Sequence, residues 1–133
     1  MSTPMPVTYQ IDNAKQLVRT SCTGATTLDE VLGHFAELIQ DPECPERLNV
    51  LLDLSEMTSL PGSEQLRAVA GEIGRIVPRV QFLNCAIIAP REALFGMARM
   101  FEVFADQHFA ATRVFRTRDE GASWLDTQLV SDD

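Results

Sequence analysis

Two short apolar runs set the limits on what this chain can fold into. NVLLDL (49–54) and CAIIA (85–89) are almost continuously apolar. They are too short for buried helices and lack the alternation of a strand with one wet face, so each reads as a strand covered on both sides. Strands of that kind belong to sheets with helices packed against them, and parallel neighbours need a long crossover. The segment between the runs supplies one. Leu66, Val69, Ala70, Ile73, Ile76 and Val77 recur at helical spacing until Pro78 stops them.

The rest of the chain extends the same architecture. VTYQI (7–11) alternates apolar and polar residues, Asp12 and Asn13 mark a turn, and LVRTSC (17–22) completes a hairpin. Thr27-Leu28-Asp29-Glu30 has the form of a capping box, followed by Val31, Leu32, Phe35, Leu38 and Ile39 on one helical stripe; two prolines within 41–46 end that helix. A third helix is expected from about 91 to 107, a strand over 112–116, and a fourth helix from near Asp119, with Ala122, Leu125 and Leu129 facing inward. The expected fold class is α/β. It consists of one mixed β-sheet with helices packed on it, in the order β-β-α-β-α-β-α-β-α, with a flexible arm over 1–6, one domain over 7–129 and an acidic tail over 130–133.

Composition excludes several function classes. The formal charge is −8 and no basic face gathers among the ten arginines and the lone Lys15, so nucleic acid is not an expected partner. No apolar run approaches the length of a membrane span, and MSTPMPV does not resemble a secretion signal, so the expected location is cytoplasmic, with no membrane insertion. Cys22, Cys44 and Cys85 form an odd set without a C-x-x-C pair, which reads as free thiols. His34 and His108 are too few and too far apart in sequence to argue a metal site or an acid–base pair. No cofactor and no enzymatic activity is expected.

Four strings carry a family resemblance: LVRTSCTGATTLDE, LLDLSEMTSLPGS, AIIAPREALFGMARMFEVFAD and VFRTRDEGASWL. Together they cover roughly 7–126 and resemble the STAS-like domains of bacterial anti-sigma-factor antagonists, especially the SpoIIAA-like branch grouped with lipid-binding CRAL-TRIO folds. The resemblance implies a small non-enzymatic module that binds another protein under control of a phosphorylated serine. In that family the serine opens the helix after the central strand, in a pattern like Asp-Ser-Ser-Gly. Pro61-Gly62-Ser63-Glu64 stands at the matching position here, so Gly62 takes the place of the usual serine and Ser63 is the remaining candidate phosphosite. Ser55, Thr58, Ser59, Gly62 and Ser63 form the candidate partner-binding loop. Ser63 also suits a helix N-cap, and Asp53 with its neighbouring hydroxyls suits local turn bonding.

Two further features stand out. Gly71 and Gly74 interrupt the second helix, leaving a thin flank that reads either as close helix packing or as room for a small apolar ligand such as an acyl chain. The third helix carries Phe95, Met100 and Val103 beside its charged face, outside the inward stripe of Leu94, Met97, Ala98, Phe101, Phe104 and Ala105. Those three residues are a candidate interface for a protein partner or a homodimer.

Overall fold

Nine elements form in the expected order in the computed structural model, which describes residues 7–76 and 80–131. They are β1 (Val7–Asp12), β2 (Leu17–Gly24), α1 (Leu28–Gln40), β3 (Arg47–Met57), α2 (Ser63–Ile76), β4 (Gln81–Ile88), α3 (Glu92–Ala105), β5 (Ala111–Phe115) and α4 (Arg118–Ser131). The expected arm over 1–6, Val77 and the end of the tail at 132–133 lie outside the described residues, as do the side chains of Leu28, Ile76 and Leu129.

The five strands make one sheet whose spatial order equals their chain order. β1 is antiparallel to β2, and the remaining pairs are parallel. Each parallel step moves the same way across the sheet, so right-handed crossovers bring α1, α2 and α3 to one face. α4 follows the last strand and packs on the opposite face, against β3, β4 and β5. There Leu125 closes a small core with Leu17, Leu51, Ala86 and Ile88, with Phe115 and Trp124 at its margin.

Asn49 sets the register of the sheet centre. It is 0% exposed, and its Nδ2 donates to the carbonyls of Gln16 at 3.3 Å and Lys15 at 3.5 Å. Its Oδ1 accepts from the backbone amide of Asn84 at 3.1 Å and from the Asn84 side chain at 3.2 Å. One side chain thus joins the start of β2 to β3 and β4, and every polar atom it buries is satisfied.

Two strands are longer than their apolar runs. β3 continues through Ser55 and Glu56 to Met57, so Ser55 belongs to the strand and not to the following loop. Its pairing with β2 shifts register between Ser21 and Thr23 and then resumes at Glu56 and Met57. Polar residues in this stretch hide the strand from a hydropathy reading. β4 likewise begins at Gln81, ahead of the 85–89 run.

Replacing Asn49 with leucine leaves the buried Asn84 amide without its acceptor and removes the side-chain tie to the Lys15 and Gln16 carbonyls, of which the Gln16 carbonyl keeps its bond from the residue 49 backbone amide. A loss of about 3 kcal/mol in urea unfolding is expected; a variant as stable as the parent would contradict the register role.

Candidate functional site

α2 is held by its neighbours on either side. Its backbone lies closest to α3 and α1, while Leu66, Ala70 and Ile73 reach into the core shared with the sheet. A cavity of about 420 Å³ opens between this helix and the sheet. Its floor is Val50, Leu52 and Leu54 of β3 with Cys85 and Ile87 of β4; Leu66, Val69 and Ile73 of α2 form its roof. Val31 and Phe35 of α1 close one side, and Leu94, Met97 and Phe101 of α3 close the other. The three β3 residues are only half-buried, although they sit on a central strand. The cavity is the cause.

Among the described residues the lining contains no aspartate, glutamate, lysine or arginine. Its exposed members are Ala25, Thr27, Leu60 and Gln65. These come from the β2–α1 loop, the β3–α2 loop and the first turn of α2, so the opening lies at the carboxyl ends of β2 and β3. Open α/β sheets hold their ligands at that end of the strands.

His34 is the most polar group in the wall. It lies on the inward stripe of α1 and is 7% exposed, with its ring 5.2 Å from that of Tyr9 and 5.3 Å from that of Phe35. Its Nε2 is 3.3 Å from the Thr20 hydroxyl, and its Nδ1 is buried with no hydrogen-bond partner among the described residues. Burial lowers its pKa to about 4, so the ring is neutral at physiological pH. Cys22 and Cys85 also line the cavity, and burial pushes both thiols up to about 12; the nearby Asp53 charge adds to the effect at Cys22. Thiols so placed stay protonated and weakly nucleophilic. Cys44, away from the cavity, is shifted upward as well, by burial and by Asp41.

The residues of the expected partner loop divide between several roles. Ser55 donates its amide, at 2.9 Å, and its hydroxyl to Asp53 Oδ1, within the strand. The Ser59 hydroxyl donates to the Thr26 carbonyl at 3.0 Å, and the Thr58 amide donates to the Gly24 carbonyl at 2.9 Å, so the two loops at the mouth are tied together. Ser63 is not the N-cap of α2. The Leu66 amide donates to the Gly62 carbonyl at 3.1 Å, and the Gly62 amide donates to Gln65 Oε1 at 2.9 Å. That pattern puts Gly62 at the N-cap with Gln65 reaching back to it, and leaves Ser63 as an exposed first helical residue.

The glycine flank is not the cavity. A Cβ on Gly74 would lie 2.8 Å from the His108 ring, which fills the space beside it, and Gly71 is exposed. Close packing accounts for Gly74. Phe95 is half-buried with Arg116 stacked 4.3 Å above its ring, whereas Met100 is 39% and Val103 73% exposed. Phe95 lies roughly 140° around α3 from Met100, with Val103 between them at roughly 80° from Phe95, so Met100 and Val103 are the exposed part of this arc and Phe95 its half-buried edge.

The fold has a close structural parallel. Over 94% of this chain and 98% of the other, it superimposes with a TM-score of 0.59 on an uncharacterized DUF3478-family protein with a SpoIIAA-like fold from Shewanella loihica PV-4, at 15% sequence identity. The chain has a SpoIIAA-like fold. No protein-family model matches the sequence, and no match is found among curated proteins. Among the described residues of this SpoIIAA-like domain, no helix is long and apolar enough to cross a membrane.

His34 was within reach of the sequence reading. It falls three residues after Val31 and four before Leu38, on the apolar stripe itself. The unfolded chain protonates this histidine near pH 6.5, the folded chain only near 4. The stability due to its neutral form is therefore complete above 6.5 and is lost as pH falls toward 4. Between about pH 7 and about pH 4.5 the parent is expected to lose roughly 2–3 kcal/mol more than His34→Gln in urea unfolding. Parallel curves would show that the imidazole is not shielded.

Proposed function

We propose that this domain works by binding, without turnover, and that its ligand is a small apolar molecule held in the cavity beneath α2. The cavity carries this reading. Its volume lies within the range of small-molecule sites, and its wall is apolar with a few polar groups. A void of roughly 150 Å³ holds one benzene molecule. A cavity of about 420 Å³ suits a medium-length alkyl chain or a few fused rings.

The absence of turnover in this reading is supported by the state of the ionisable wall groups. His34 is lowered and the two thiols are raised, so no nucleophile is activated by a base. The three cysteines are unpaired, which suits a reducing cytoplasmic setting.

A second reading is favoured by Leu60, which is 55% exposed at the cavity mouth beside the exposed Gly62 and Ser63. In it a protein partner docks on the 58–63 loop. Phosphate on Ser63 would add charge at the amino end of α2, where a helix dipole favours it. Met100 and Val103 offer a separate contact for that partner or for a second copy.

Diphenylhexatriene, a hydrocarbon that fluoresces in apolar surroundings, tests the first reading. Saturable binding to the parent is expected, with at least tenfold weaker binding to Leu52→Trp, whose indole fills the cavity floor, and no loss of stability in that variant. Equal binding by both proteins would place the probe elsewhere.

A further inference from the structure

Resting on the cavity reading, we propose that the ligand is an uncharged amphiphile, an apolar body with one hydrogen-bonding group such as a hydroxyl or carbonyl, and that this group is seated against Thr20 and His34.

Three observations lead there. The first is the chemistry of the wall. None of its described residues carries a formal charge, and the ionisable side chains among them, His34, Cys22 and Cys85, are all held in their neutral forms by burial. A carboxylate or ammonium placed inside would lose its hydration without gaining a counter-charge, which is the most costly kind of burial. The exposed lining residues Ala25, Thr27, Leu60 and Gln65 are uncharged too, and Arg91, near the Met57 end of the wall, already donates its Nη2 to the Met57 carbonyl.

The second is the unused bonding capacity of the imidazole. Nε2 has the Thr20 hydroxyl, while Nδ1 is buried without a partner, one of two such side-chain atoms among the described residues. A polar atom left in that state costs free energy, and a ligand group that pairs with it, as the ring shifts to bring it to the cavity surface, recovers part of the cost. The other such atom, the Thr112 hydroxyl on β5, is not part of the cavity wall.

The third is the way His34 is held. Tyr9 and Phe35 flank its ring, and Tyr9 is itself fixed by donating its hydroxyl to Asp41 at 2.8 Å. These neighbours limit the imidazole to few orientations, so a small shift of the ring is the ordering that binding requires. A neutral imidazole can be donor or acceptor according to its tautomer, so hydroxyl and carbonyl ligands are both served.

Displacement of bound diphenylhexatriene by decanol and by decanoate tests the assignment. The hydrocarbon probe needs no hydrogen bond, and its affinity is measured for each variant so that displacement is compared relative to that variant's own probe binding. Decanol should displace it from His34→Leu about five- to tenfold less effectively than from the parent, and His34→Gln, which keeps a donor and an acceptor, should restore most of the difference. Decanoate should be the poorer competitor throughout and indifferent to the His34 variants. If decanol competes equally with parent and His34→Leu, the polar seat is wrong while the cavity reading survives. If His34→Leu weakens decanoate more than decanol, His34 is the counter-charge for an acid and the ligand class is wrong. If the parent fails to bind the hydrocarbon at all, the cavity reading itself falls.

Discussion

Asn49 has no exposed surface, and its amide is bonded to the backbone and side chains that begin the parallel centre of the sheet. What the cavity is made of follows from it. A strand shifted by one residue turns every side chain to the other face, and such a shift in β3 would put Leu51 and Asp53 under α2 in place of Val50, Leu52 and Leu54. With the register held, aliphatic side chains floor the helix-covered face, while Leu51 serves the smaller core under α4. The buried polar network is therefore a specificity device: it adds modest stability but excludes the alternative pairing.

The second constraint is topological. Three successive parallel steps in one direction require three crossover helices on one face, and the middle one lies between the other two. The volume beneath it opens to solvent beside Ala25, Thr27, Leu60 and Gln65. An apolar ligand that enters it stabilises the folded domain by mass action.

Much of this was legible in the sequence. The runs at 49–54 and 85–89, the helical stripe between them and the Thr27–Glu30 capping box fixed the element order, and the capping box forms with both reciprocal bonds. Strand ends were less legible because Ser55 and Glu56 are polar residues in a strand. The residue type of Ser63 suits an N-cap, yet the bond from Gly62 to Gln65 shows that the capping role begins one residue earlier. The glycines at 71 and 74 signalled open space, yet the ring of His108 occupies the flank beside Gly74. Spacing along a helix tells which residues face inward, but not how far that helix stands from the sheet. The cavity was invisible for that reason, and so was the meaning of His34.

The most direct test of a cavity kept for a ligand is native mass spectrometry of the protein purified gently from cells, followed by the same measurement after denaturation. The account predicts added mass in the folded protein that is released on unfolding and recovered in an organic extract as a neutral amphiphile. A folded protein that carries no added mass from cells, and takes none up when offered alcohols or ketones with medium-length chains, would contradict it.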